Sequence, residues 1–366
     1  MTYLFSGFIF IVILAILIFV HELGHFLAAK LSGVKVEEFG FGFPPRIFGK
    51  KYGETIYSIN AIPAGGFVRL TGEDDNSSTA DPRSFAAKKP LLRAGMLLAG
   101  VFMNVVLTLV TFSILYTIGG PIDTGKVLVT SVAKDSPAES SGLKSQDLIN
   151  EIDGKKLSGP SELGLKVKQL AGSQVSLKLE RGNETLVVTL IPRASPPSGE
   201  GPVGITTAPN IISKSYPFWQ APVVGSLQAL KFTSAMLGGL RDLVADLFTR
   251  AQVPQDIGGV VRIGYVTHLA AQEGILAILQ WVGLLSLNLA IINALPIPAL
   301  DGGRLVFVLI EAATKKKVPA KFERIIHSVG LALLLLLVVI ITYNDIIFLW
   351  VNTNFGKGLR ELLPFF

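Results

Sequence analysis

The sequence predicts a polytopic α-helical membrane protein that crosses the bilayer four times and carries one small α+β domain inserted between its second and third spans. Three observations predict it. Of the 366 residues 50% are hydrophobic and only 16% charged, with a mean hydropathy of +0.53, too apolar for a water-soluble chain of this length. Four stretches reach the roughly 17–25 apolar residues that a bilayer core requires. Between the second and third of them, residues 121–210 change character to short β-branched runs separated by Gly, Ser, Pro and Asp clusters.

The first span runs uncharged from Tyr3 to Val20 and leads into "HELGH". No Lys or Arg precedes it and no small-residue cleavage site follows, so it reads as a retained span rather than a signal peptide. Ala94–Ile122 and Gly274–Leu300 are uncharged, and Val329–Tyr343 continues past Asp345 to Trp350. Lys and Arg close to a membrane stay on the cytoplasmic side. Ten of them lie between Lys30 and Arg93, and Arg304, Lys315, Lys316, Lys317, Lys321 and Arg324 lie between the third and fourth spans. Those two loops are therefore expected in the cytoplasm, with the inserted domain and both termini outside. The net charge of +6 follows from this asymmetry better than from nucleic-acid binding, because the basic residues are scattered with no aromatic-basic repeat.

In the inserted domain, "KVLVTSV", "QVSLKLER" and "ETLVVTLIP" read as strands and "SELGLKVKQLAG" as a helix. Residues 214–273 place Leu227, Leu230, Leu237, Leu240 and Leu247 amid Lys231, Arg241, Asp242 and Asp246. Those charges argue against a fifth span and for an amphipathic helix on the outer membrane face, with loop packing as the alternative.

Chemistry enters at residues 19–30, "FVHELGHFLAAK". His21 and His25 are four residues apart, so a helix puts both on one face, and Glu22 can reach a water held between them. This is the HExxH arrangement of zinc metallopeptidases. Two histidines snorkelling at a helix end would be the plain alternative, but ionisable groups at membrane depth are costly and default to function. Zero cysteines leave His, Asp and Glu as the metal ligands available. A catalytic zinc takes three protein ligands and keeps one open position. His268 and His327 stand in no motif. Asp301, in "NALPIPALDGG" (293–303), follows an apolar run broken by Pro296 and Pro298. Irregular backbone at membrane depth is tolerated where it is buried or lines a cavity, although taken on its own an aspartate there more often caps a helix than binds a metal.

Taken with "IPAGGFVRLTGED" at 62–74, these motifs resemble the site-2 protease family of intramembrane zinc metalloproteases over nearly the whole chain, and most nearly the bacterial, anti-sigma-factor-cleaving type with a single PDZ domain. "VAKDSPAESSGLKSQDLINEIDGKKL" is similar to the PDZ family, with Ser-Pro-Ala, Gly-Leu, Asp-Leu-Ile and Asp-Gly in that order. The resemblance implies zinc held by His21, His25 and Asp301, with Glu22 as catalytic base. It also implies substrate contacts at Asn293, Gly65 and Gly66, and a membrane-associated β-hairpin within "EEFGFGFPPRIFGKKYGETIYSINAIPAGGFVRL". The implied domains are 1–120 (two spans, HExxH and hairpin), 121–210 (PDZ), 211–273 (membrane-surface segment) and 274–366 (two spans and LDGG). The implied activity is hydrolysis of peptide bonds in or near transmembrane helices, in regulated release of a membrane-held regulator or in clearance of remnant signal peptides. Its partners would be single-span membrane proteins, the bilayer and a peptide or partner protein at the PDZ domain, with no nucleic acid. The setting would be a bacterial inner membrane or a plastid membrane.

Val101 and Gly259 stand where related chains usually have proline, which bears on the path of the second span and the loop before the third. Two rival functions lack support from particular residues. A metal carrier needs no glutamate beside the first histidine, and a membrane-tethered PDZ scaffold needs no buried metal site.

Overall fold

The computed structural model describes residues 3–73, 81–250 and 258–352. In chain order these form α1 (Tyr3–Leu31), β1 (Val36–Tyr52), β2 (Thr55–Leu70), α2 (Pro90–Ile118), β3 (Gly120–Val132), α3 (Pro137–Ser140), β4 (Leu148–Ile152), β5 (Lys155–Lys156), α4 (Pro160–Gln169), β6 (Val175–Arg181), β7 (Glu184–Leu190), β8 (Ile205–Lys214), α5 (Ala221–Arg250), α6 (Val260–Glu273), α7 (Ile275–Ala294), α8 (Asp301–Thr314) and α9 (Ala320–Asn352). The chain divides into two compact units, Met1–Ile118 with Tyr216–Phe366, and Gly119–Ser215.

Four described helices of the first unit are long and apolar enough to cross a membrane: α1, α2, α7 and α9. Their limits differ from the apolar runs in instructive ways. Helix α1 continues eleven residues past Val20, so His21 and His25 lie inside a continuous helix rather than beyond its end. Helix α2 stops at Ile118, and extended backbone begins at Gly120, within the run that hydropathy extends to Ile122. Helix α7 stops at Ala294, because Pro296 and Pro298 cannot supply the next helical N–H groups.

Close approach of the helices depends on glycine. A Cβ on Gly24 of α1 would stand 2.3 Å from the Ala99 carbonyl oxygen of α2, and one on Gly283 of α7 would stand 2.3 Å from the Phe112 ring. Small residues at such crossings let helix backbones meet in lipid, where no hydrophobic drive between helices exists. Polar side chains join the same helices: Thr108 donates to the Gly283 carbonyl at 3.2 Å and Ser286 to that of Asn104 at 2.8 Å. Asp345 of α9 is fully buried and accepts from the Gly259 and Arg262 backbone N–H groups at the start of α6. Residues 256–257 of the stretch that contains Gly259 lie outside the described residues.

Within the 214–273 segment, α5 occupies Ala221–Arg250 and α6 Val260–Glu273. Gly225 abuts Phe112 of α2 and Phe232 stacks edge-on against the same ring at 5.9 Å. Leu227 and Leu230 remain more than half exposed, as do the Arg241 and Asp242 side chains, and Lys231 is also exposed.

Strands β1 and β2 form an antiparallel hairpin that folds over on itself. Glu38–Phe41 pairs with Ile56–Ile59 and also with Gly66–Arg69. The buried Glu38 carboxylate at its centre is satisfied by Arg46 at 2.6 Å and Ser58 at 2.7 Å. At the hairpin turn Glu54 bonds Lys30 of α1 at 2.7 Å and also Arg83, and these two cations hold its carboxyl down at about 2.

In the second unit the strand order is β7-β6-β4-β3-β8, all antiparallel, with β5 paired to β4. Val127, Val129, Ile149, Val175, Leu177 and Leu179 are fully buried, each contributing about 1.5–3 kcal/mol of transfer free energy. The strands and helix expected at 126–132, 174–181, 184–192 and near 161–172 are present. Strand β8 is an addition, since its alternation is interrupted by Pro209 and Asn210. Asp147 is buried, which pushes its carboxyl up, but the Arg181 guanidinium at 2.7 and 2.8 Å outweighs this and holds it below the usual range.

Candidate metal centre

The i, i+4 spacing on α1 brings the rings of His21 and His25 to 4.8 Å between centroids, edge to face. Each ring is held from its far side by α2. His25 Nδ1 lies 2.8 Å from the Met96 carbonyl oxygen. A carbonyl can only accept, so Nδ1 carries the proton and Nε2 presents a lone pair. His21 Nδ1 lies 3.1 Å from the fully buried Asn104 side-chain amide, whose Oδ1 finds no partner. Oxygen and nitrogen of an amide are assigned by their neighbours. Turning this amide over sets Oδ1 against Nδ1–H and frees the lone pair of His21 Nε2, with the amide NH2 then taking the unpartnered position.

Asp301 comes from the other side. Residues 295–300 leave α7 in irregular backbone, with Ala299 at φ +78°, and α8 begins at Asp301 with Leu300 as an N-cap that offers no side-chain bond. The turn is tight enough that a Cβ on Gly302 would stand 2.1 Å from the Leu295 carbonyl oxygen, and one on Gly303 2.3 Å from that of Ile297. The two glycines after Asp301 are therefore steric requirements. Asp301 does not cap the helix. Its Oδ2 stands 3.0 Å from His21 Nε2 and 3.2 Å from His25 Nε2, and the two Nε2 atoms are 3.2 Å apart.

Two imidazole lone pairs and a carboxylate oxygen facing one another at these distances can hold a cation between them. Zinc bonds of about 2.0–2.2 Å at tetrahedral angles place ligand atoms about 3.3 Å apart, so the spacing fits zinc with little adjustment. His21, His25 and Asp301 form a group of three potential ligands among the described residues. His268 and His327 are not in it. His268 bonds Ser6 at 2.8 Å, and His327 bonds the Ala299 N–H at 2.9 Å.

The group opens into a cavity of about 430 Å³ lined by Glu22, Gly66–Leu70 of β2, Met96, Leu97, Ala299 and Arg304 among others. Glu22 thus faces the same space as the three candidate ligands. Gly66 lies against it, since a Cβ there would come 2.9 Å from Glu22 Cγ. Gly65 is buried beside it, whereas Asn293, half-buried in the last turn of α7, is not among the cavity-lining residues.

The sequence motifs assign no role to Gly24, Met96, Gly100 or Asn104. Gly100 matters most: a Cβ on it would stand 2.4 Å from His25 Nε2 and 2.8 Å from His21 Nε2. An asparagine inside an otherwise apolar span is the signal that could have marked α2 as the supporting helix.

Comparison with known proteins places the chain in a family. The family profile described as Peptidase family M50 matches residues 9–337. A putative zinc metalloprotease of Clostridium perfringens is 38% identical over 334 residues, covering 91% of this chain and 96% of that protein. The regulator of sigma-W protease RasP of Bacillus subtilis is 28% identical, covering 92% of this chain and 97% of that protein. Among solved structures, the PDZ domain of an SdrC-like protein from Listeria monocytogenes is 27% identical, covering 24% of this chain and 92% of that one, with a TM-score of 0.22.

Proposed function

The chain belongs to peptidase family M50 and is a zinc metalloprotease, and on that premise we propose that it hydrolyses peptide bonds within or beside single transmembrane helices of other membrane proteins. The observation that supports this most is the convergence of His21 Nε2, His25 Nε2 and Asp301 Oδ2 beside Glu22, on a helix apolar enough to span the bilayer. Zinc held by His21, His25 and Asp301 would lower the pKa of a water towards about 7 and polarise the scissile carbonyl. Glu22 then takes the proton of the attacking water and passes it to the leaving amine. Asn104 and the Met96 carbonyl fix the tautomers of the two histidines, a support that typically governs metal affinity about 10–100-fold.

A transmembrane helix hides its carbonyls in its own hydrogen bonds, and each unsatisfied group in lipid costs several kcal/mol. Cleavage therefore requires a substitute for those bonds as the substrate unwinds. The Gly66–Leu70 stretch supports one, because it lines the cavity as extended backbone in which Gly66 carries no side chain. Asn293 offers a further donor and acceptor. Asn293→Leu is expected to lower kcat/KM by about tenfold, one hydrogen bond's worth of roughly 1.4 kcal/mol, while zinc content stays at wild type. An unchanged rate removes Asn293 from substrate binding.

In this reading Gly119–Ser215 is a PDZ domain that selects substrates. A groove of about 150 Å³ runs between α4 and the start of β8, lined by Leu163, Val167, Val203 and Ile205, and β8 is the edge of its sheet. An edge strand beside an apolar groove suits a peptide that adds as a further strand. Gly164 faces this groove with nothing within 4 Å of a Cβ. Gly164→Phe in the full chain is expected to fill the groove, leave zinc unchanged and alter which single-span substrates are cut. An identical substrate profile would reduce the domain to a spacer. We further infer, from the excess of Lys and Arg in the loops at 30–93 and 304–324, that this domain and both termini lie outside the cytoplasm, and we assign α5 to the outer membrane face and the protein to a bacterial inner membrane as part of the same reading. Release of a membrane-held regulator of the anti-sigma-factor type, or clearance of remnant signal peptides, is the physiological task this activity suits. The test is cleavage of reporter helices by purified zinc-loaded protein in liposomes; wild type that cuts none of a panel containing helix-breaking residues would overturn the reading.

A further inference from the structure

Asp301 reaches the two histidines because residues 295–300 hold an unfavourable path, and no bond from the Asp301 side chain's own helix cap explains that path. Ala299 sits at φ +78°. For a residue that is neither Gly nor Asn such a conformation is unfavourable and persists only where surrounding contacts over-determine it.

Those contacts come from α9. His327 Nδ1 accepts the Ala299 N–H at 2.9 Å. One turn further along α9, Gly330 lies against Pro298, where a Cβ would stand 2.3 Å from the proline Cβ. The imidazole also lies against Phe307 of α8, at 5.6 Å between centroids. Residues three apart on α9 thus grip the turn before Asp301, and the same ring braces the helix that Asp301 begins. Accepting at Nδ1 places the ring proton on Nε2, and that atom is buried without a hydrogen-bond partner. A ring retained in this position at the expense of an unpaired polar atom is not there as inert filling, since an apolar ring would fill the space without that penalty.

We propose that His327 is a positioning residue for the metal centre: its Nδ1 pins the Ala299 N–H and so fixes the turn that aims the Asp301 carboxylate at His21 and His25. The inference rests on Asp301 being a ligand. It assigns to His327 no contact with metal or substrate.

Two substitutions separate the hydrogen bond from the packing. His327→Phe keeps a ring against Phe307 and removes the acceptor. His327→Asn loses the ring but keeps an acceptor close to the place of Nδ1. Zinc retention against a graded chelator, measured on purified full-length protein without reference to activity, is expected to weaken about tenfold in His327→Phe, the range of residues that orient metal ligands. His327→Asn is expected to stay within about threefold of wild type, well inside that range. At saturating zinc, His327→Phe should lower kcat with KM unchanged, because substrate contacts are not altered. Wild-type zinc retention and kcat in His327→Phe would overturn the proposal, and so would equal losses in both variants, which would show that packing alone matters. Asp301→Ala is carried in the same series. If it retains zinc as wild type does, the ligand assignment itself fails and this inference with it; if it loses zinc while His327→Phe does not, the inference alone fails.

Discussion

Glu22→Gln is expected to bind zinc at wild-type stoichiometry and to cut nothing measurable. The glutamine is nearly the same size and can still hydrogen-bond a water, but it cannot take a proton, and loss of a general base typically costs about 10²–10⁴ in rate. The geometry separates this residue from the proposed ligands: His21, His25 and Asp301 face one another at 3.0–3.2 Å, whereas Glu22 lines the same cavity with its side chain against Gly66. His21→Ala and Asp301→Ala are expected to behave oppositely, losing zinc and activity together, since each removes one of three ligands. Paired measurements of metal content and reporter cleavage distinguish the two classes. Zinc loss in Glu22→Gln would make it a ligand and leave the base unidentified, and full cleavage by Glu22→Gln would remove it from the chemistry.

What could be read from the sequence follows from whether a feature is local. The HExxH spacing is a property of one helix, so α1 puts His21 and His25 one turn apart on one face and Glu22 in the same cavity. Asp301 is partly local: the prolines and the glycine pair mark a break in α7 without saying which way the carboxylate turns. Read alone, that stretch favours capping over ligation, whereas the tertiary fold puts Asp301 Oδ2 beside two histidines 280 and 276 positions away. The support from α2 is legible in no local pattern. Gly100, Met96 and Asn104 matter because α1 and α2 cross at Gly24 and Ala99, and a crossing point is set by the packing of both helices. The double pairing of Glu38–Phe41 in the hairpin is likewise set by long-range register rather than by alternation.

That crossing gives the second large effect. Gly100→Ala adds one methyl group to a helix interior, a change that ordinarily stabilises a helix by about 0.5–1 kcal/mol. Here the new Cβ would stand 2.4 Å from His25 Nε2 and 2.8 Å from His21 Nε2, well inside van der Waals contact and at the two atoms that must face the metal. Either the rings turn away or α1 and α2 separate, and Gly24, whose own Cβ position is 2.3 Å from the Ala99 carbonyl oxygen, shows that they are already in contact. The helix is therefore expected to keep or gain stability while zinc affinity falls by at least about 100-fold, more than the loss of one orienting contact, and cleavage disappears with it. Gly95→Ala is the control, because it lies in the same helix with nothing within 4 Å of a Cβ. It should gain the same helix propensity and keep both zinc and activity. Thermal unfolding, metal content and cleavage measured on the two variants side by side decide the matter. If Gly100→Ala held zinc and cut its substrate as well as Gly95→Ala does, the metal could not lie between the Nε2 atoms of His21 and His25, and the centre would have to be placed elsewhere in the cavity.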